Sequence, residues 1–160
     1  MQNGCHEEIM TANLTLAPAT LSDVPALCAL LSQLFAQEQE FTPDLSAQQA
    51  GLQLILQQPD TGCILVARQH GEVIAMVSLL FTISTALGGR VALLEDMVVD
   101  KRFRGQHIGS QLLAYAIEHA RAQQVRRITL LTDHDNHSAQ RFYRQHGFQP
   151  SSMQAWRLLL

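Results

Sequence analysis

The sequence predicts an α+β domain, with a mixed, mostly antiparallel central sheet, helices on both faces and one parallel strand pair in the middle. Three features carry that expectation. β-Rich runs at Cys63 to Arg68, Val73 to Ile83 and Val91 to Val99 follow one another across short turns, as in an antiparallel meander. Apolar residues recur at helical spacing before and after these runs, so amphipathic helices are available to cover the sheet. The stretch from Val91 to Leu131 then reads strand, helix, strand, a unit whose two strands lie parallel through a right-handed crossover.

Residues 1–13 are expected to be a flexible tail, because they contain Glu7 and Glu8 and no apolar block of the kind found in a signal peptide or anchor. Residues 14–160 are expected to form a single domain; a chain of 160 residues, 47% hydrophobic and 16% charged, can bury a substantial core. Leu14 to Ala17 makes a first strand, ended by Pro18 before a helix start at Thr20-Leu21-Ser22-Asp23. Leu27, Leu30, Leu31 and Leu34 form that helix's apolar stripe to about Phe35. Glu38, Glu40 and Asp44, around Phe41 and Pro43, form an acidic loop that reads as a solvated connection, though it could also attract an amine.

A second helix is expected from Ser46 to Gln57, burying Leu52, Ile55 and Leu56 and closed by Pro59-Asp60. His70-Gly71-Glu72 is a hairpin turn, and Thr85 to Gly89 a second turn. From Ile108 to about Gln123, the spacing of Leu112, Leu113, Ala116, Ile117 and Ala120 specifies a helix packed on the sheet. Arg127 to Leu131 is a short strand, Asp133 to His137 a polar loop, and Ser138 to Gln145 a short helix stopping at Gly147. Phe148 onward is expected to give another strand and a turn, and Met153 to Leu160 a last strand containing Trp156.

Charge and cysteine use exclude several functions. A net charge of -3 argues against nonspecific nucleic-acid binding, which needs a strongly basic face. Cys5, Cys28 and Cys63 are far apart and lack C-x-x-C spacing, so neither a disulfide framework nor a cysteine zinc site is expected, and the chain reads as cytoplasmic. No apolar run approaches the roughly 20 residues that cross a bilayer, so no membrane partner is expected.

Leu94 to Ser110 runs from an apolar strand through a basic turn into the long helix. That order leaves unpaired N–H groups at the helix N-terminus, where the peptide dipoles also favour negative charge, and so makes a phosphate cradle. Arg102 and Arg104 add positive charge, and Gly105 and Gly109 let the backbone press against a bulky anion such as a pyrophosphate. A tight turn with solvated arginines explains the same run equally well. No Gly-Lys-Ser/Thr and no G-x-G-x-x-G is present, so the Walker and dinucleotide readings fall away. Asp133-His134-Asp135-Asn136-His137 has metal-binding residue types, but a polar loop and helix cap account for it, and no metal is expected.

Arg104-Gly105-Gln106-His107-Ile108-Gly109 resembles the acyl-CoA signature [RQ]-x-x-G-x-[GA] of the GNAT superfamily of N-acyltransferases. Asn136, Ala139, Phe142, Tyr143, Gly147 and Phe148 resemble its second signature. The likeness in element order covers Leu14 to Leu160, with motifs between about Glu95 and Phe148. It implies that the central parallel strands splay apart to admit the pantetheine arm of acetyl-CoA. Backbone groups of Met97, Val98 and Val99 would then bind that arm, and Asn136 would contact it from the opposite side. The amides of Arg104, Gly105, Gln106, His107, Ile108, Gly109 and Ser110 would hold the pyrophosphate. His107 stands where the signature has its first glycine; histidine enters the left-handed region more readily than a branched residue does. The resemblance leaves a homodimer open.

The chemistry can be argued from protons. An alkyl amine with a pKa of about 10.4 is neutral at pH 7 only on the order of one part in a thousand, and only the neutral form attacks a thioester. That deficit amounts to about 4 to 5 kcal/mol, which a base helps recover. Glu95 and Asp96 are carboxylates in a mostly apolar strand, and by alternation they point to opposite faces. Glu95 is the expected base, directly or through water, since Leu94-Glu95-Asp96 resembles the corresponding strand of diamine acetyltransferases; Asp96 reads as a structural ion pair. Trp156-Arg157-Leu158 resembles their tail more weakly.

Tyr143 is the expected acid for the leaving thiolate, because a phenol with a pKa of about 10 keeps its proton at neutral pH. The expected activity is acetyl transfer from acetyl-CoA to a primary amine by direct attack. The alternative is a non-catalytic acyl-CoA-binding or sensing module. The acceptor is a small-molecule, peptide or protein amine that the sequence does not specify.

Overall fold

The computed structural model describes residues 9–11, 13–38, 40 and 42–160, the first three through their backbone. Cys5, Glu7, Glu8 and Phe41, all named above, lie outside the described residues. Six strands, β1 (Ile9–Thr11), β2 (Leu14–Pro18), β3 (Gly62–Gln69), β4 (Glu72–Ser84), β5 (Gly89–Val99) and β6 (Ile128–Leu130), lie side by side in sequence order. Every neighbouring pair is antiparallel except β5 and β6, which are parallel across α3 (Ile108–Ala122) and stand at the edge of this sheet, not in its middle as expected. Helices α1 (Val24–Gln37), α2 (Leu45–Gln57) and α4 (His137–Gln145) complete the chain.

Strand alternation divides the core between two faces. Leu65, Val77 and Leu79 face α3, where Leu112, Leu113 and Ala116 are fully buried. Ile64, Val66 and Met76 face the other way, onto Leu27 and Leu31 of α1 and Leu52 of α2. Asp23 secures the start of α1: it accepts from the Thr20 N–H at 2.8 Å and takes the Arg68 guanidinium of β3 on both oxygens, at 2.9 and 2.6 Å. Burial pushes its carboxyl up, but Arg68 and the Thr20 amide outweigh that and hold it below the usual range.

Asp44 of the acidic loop caps α2, accepting from the Ala47 N–H at 3.0 Å. Gly51 sits in the middle of this helix, where glycine is less favourable than alanine by about 0.5 to 1 kcal/mol.

Two expectations about the chain ends are corrected. Ile9–Thr11, assigned to the flexible tail, pairs with β2 as an edge strand. After α4 the chain forms no strand at all: Phe148 onward and Met153 to Leu160 are irregular, with Trp156 89% and Leu158 84% exposed. Apolar alternation says which residues would share a face, but a strand also needs an edge to pair with. Arg157 of this segment forms an ion pair with Glu40.

Candidate functional site

Strand β6 leaves β5 early. The parallel pairing runs from Ala92 with Ile128 to Leu94 with Leu130 and stops, while on its other side β5 stays paired with β4 up to Val99 with Ala75. From Glu95 to Val99, the edge of β5 that faced β6 is therefore open. Met97, Val98 and Val99, the residues expected to hold an extended ligand arm, lie on this open edge.

The open edge leads to the first turn of α3. The amides of Ile108, Gly109 and Ser110 have no intrahelical carbonyl to bond, which makes this end an anion cradle. Gly105 adopts φ +78°, and nothing lies within 4 Å of where its Cβ would be. Gly109 allows α3 to approach the sheet, since a Cβ there would come within 3.3 Å of Val99 Cγ2. His107 takes φ 60° and ψ 14°, in the left-handed region where the signature has glycine, and its exposed ring adds no cap to α3.

That backbone strain has a measurable consequence. His107→Gly is expected to stabilise the protein by about 0.5 to 1 kcal/mol, the left-handed penalty less glycine's extra chain entropy, raising Tm by roughly 1 to 4 °C. A thermal melt that does not rise would mean the imidazole makes a compensating contact.

The two arginines of the turn differ. Arg102 is engaged by Asp100, at 2.9 Å, and by Glu72, so its charge is not free for the cradle as expected. The Arg102 guanidinium bonded to Asp100 holds that carboxyl down at about 2. Arg104 donates from Nε to the Val99 carbonyl at 3.1 Å, at the end of the open edge, and the Gln37 side-chain amide faces its guanidinium at 2.9 Å.

Strand alternation fails at the carboxylates. Val77 pairs with Met97 and Leu79 with Leu94, so Ser78 alone stands opposite both Glu95 and Asp96. This bulge turns both side chains to one cavity, instead of to opposite faces. The Ser78 hydroxyl, fully buried, accepts from the Asp96 N–H at 3.1 Å and donates to Asp96 Oδ2 at 3.3 Å. Asp96 forms no ion pair among the described residues. Burial, and next the charge of Glu95, push its carboxyl up from 3.8 to about 6. Glu95 itself is exposed.

The cavity has a volume of about 340 Å³ and lies between α1, α2 and this bulge. Glu38 approaches the same carboxylates: burial first, then Asp133 and Glu95, raise its pKa.

Tyr143 is half-buried on α4, edge-to-face with Phe142 at 5.2 Å and with Phe148 at 5.6 Å. Both Phe142 and Tyr143 pack on the α3 face of the core, although they are neighbours on one helix, because large rings reach sideways over one surface. Burial and the charge of Glu38 push the Tyr143 phenol up to about 12, so it stays protonated and lies within the field of the acidic cleft. Asn136 Oδ1 caps α4, accepting from the Ala139 N–H at 3.1 Å. His146, which had no assigned role, reaches Ser110 Oγ at 3.2 Å and so joins α4 to the cradle.

Ser78, Gly51 and His146 are the candidate site residues that sequence reasoning missed, whereas Glu38 belongs to the acidic loop already read as able to attract an amine. Ser78 alone had a legible signal, as a small polar residue within the apolar run Val73 to Ile83. Among the described residues, no three histidines, cysteines or carboxylates lie close enough to hold a metal ion, and no helix is long and apolar enough to cross a membrane.

The candidate site thus combines a sheet parted at its parallel pair, a helix N-terminus at the mouth of the parting and carboxylates deeper in. The chain belongs to the acetyltransferase (GNAT) family, whose model matches residues 26–148, and is an N-acetyltransferase by family. It is 32% identical over 124 residues to the uncharacterized N-acetyltransferase YhfO of Bacillus subtilis, covering 76% of this chain and 83% of that protein. It is also 32% identical over 136 residues to the aminoalkylphosphonate N-acetyltransferase of Salmonella typhimurium, covering 85% of each. The fold matches a possible acetyltransferase from Clostridium difficile 630 with a TM-score of 0.83 at 16% identity, over 92% of this chain and 97% of that one.

Proposed function

We propose that the protein transfers an acetyl group from acetyl-CoA to a primary amine by direct nucleophilic attack, in the cytoplasm. The observation that carries this reading is the open edge of β5 from Glu95 to Val99, bounded at one end by the α3 cradle and at the other by the paired carboxylates. The Met97 to Val99 backbone would receive the pantetheine arm, with Asn136 on the opposite side. The amides from Arg104 to Ser110, including those of Gly105, Gln106 and His107, would bind the pyrophosphate.

Glu95, at the open side of the cavity, takes the proton of the incoming ammonium, directly or through water. Asp96 supplies a second carboxylate that holds the cation. The freed nitrogen lone pair attacks the thioester carbon, the C–S bond breaks, and the nitrogen sheds its second proton to solvent to leave the neutral amide. Tyr143 then gives its proton to the departing sulfur and regains one from solvent.

The test is thiol release with acetyl-CoA across small amines, amino acids, polyamines, aminoalkylphosphonates and peptide amines, together with thermal shift by CoA. At a hundredfold excess over Kd, CoA is expected to add about 2.7 kcal/mol, on the order of 5 to 10 °C in Tm. No shift would overturn the reading at its base. A shift without thiol release from any amine would favour the non-catalytic sensing module.

A further inference from the structure

We propose that the acceptor is a primary amine carried on an apolar body that bears no anionic group, and that this body lies in the cavity between α1 and α2, over Gly51. The inference rests on the transfer reading above and names the substrate class for that site. Apolar side chains make the walls: Leu31 and Phe35 from α1, and Ala47, Leu52 and Ile55 from α2. Glu95 and Asp96 close one end. An apolar pocket with a few convergent polar groups fits a ligand with one polar head and a greasy remainder. The volume of about 340 Å³ is ample for a ring, since cavities of roughly 150 Å³ already admit benzene.

Gly51 is an independent indication. It lies inside a helix, where glycine is disfavoured, with no positive φ to require it. A Cβ there would meet no atom of the described residues within 4 Å, so none of these neighbours requires its absence either. What the missing side chain does is keep the cavity open, because Gly51 is part of its lining.

Charge narrows the class further. Among the described residues no lysine, arginine or histidine lines the cavity, and Asp44, which does, is occupied in capping α2. A phosphonate or carboxylate on the acceptor would find no counter-charge there and would meet Glu95 and Asp96. A polyamine would satisfy the carboxylates with its first ammonium, but would have to desolvate the next one among leucines.

The experiment measures thiol release from acetyl-CoA with 2-phenylethylamine, spermidine and 2-aminoethylphosphonate, and in parallel the thermal shift each amine gives in the presence of CoA. The expected result is a kcat/KM for 2-phenylethylamine at least about tenfold above the other two. In Gly51→Leu, its KM is expected to rise about tenfold, and in Gly51→Ala by less, while stabilisation by CoA persists. A preference for spermidine or the phosphonate would overturn the proposal, as would an unchanged KM in Gly51→Leu or no stabilisation of the wild type by 2-phenylethylamine. Stabilisation by that amine that depends on residue 51, without thiol release from any amine, would sink the transfer reading and leave the cavity assignment standing.

Discussion

Glu95→Gln is expected to lower kcat/KM by about a hundredfold, the usual range for losing a general base, while CoA still stabilises the protein. The substitution keeps the shape of the side chain and removes its charge and basicity. The loss should be incomplete, because Asp96 faces the same cavity and remains a carboxylate. The pH profile separates the two roles. Asp96 is raised to about 6, so in the wild type it gains a proton as pH falls through about 6, and activity should drop with it. Glu95's charge is the second cause of that rise, after burial. Its removal should move the acid limb to lower pH even as the plateau falls. A limb that stays in place would remove the coupling from the mechanism, and an unchanged plateau would remove Glu95 as base.

The same shift has a sign for stability. Because the folded Asp96 binds its proton more tightly than the unfolded one, folding gains stability as pH falls from about 6 toward 3.8, and ionised Asp96 opposes folding above that window. A carboxylate kept where it opposes folding is better explained by the site than by the fold.

Tyr143→Phe should reduce kcat by about a hundredfold with little change in CoA binding, because it deletes the proton donor and keeps the ring. The ring's packing against Phe142 and Phe148 survives the change, so the fold should as well. A phenol held up at about 12 is fully protonated at working pH and has its proton to give when thiolate forms. Steady-state turnover together with CoA thermal shift tests this. Turnover equal to wild type would reduce Tyr143 to a core aromatic.

Much of the fold was legible because its signals are local. The stripe Leu27, Leu30, Leu31 and Leu34, the hairpin at His70-Gly71 and the strand, helix, strand unit each declare themselves within one element, and each stands in the structure within a residue or two of its expected place. The final strand was misread because alternation in Met153 to Leu160 is local too, whereas pairing depends on an available edge. The candidate site was legible in its residue types. It was less so in its arrangement: Asp96 read as an ion pair and turned out to face Ser78 and the cavity, and Arg102 read as free positive charge beside the cradle and turned out to be held by Asp100 and Glu72.

The sequence by itself determined the element order from β2 to α4 and pointed to the family, because helical period, turn chemistry and the spacing from Arg104 to Gly109 are properties of consecutive residues. Only the tertiary structure decided that Glu95 and Asp96 share a cavity, that β5 is open beyond Leu94, and that Gly51 faces empty space. Each of these depends on register between segments far apart in the chain: one extra residue opposite Ser78 reverses the side-chain alternation, and no local pattern records where a neighbouring strand will stop.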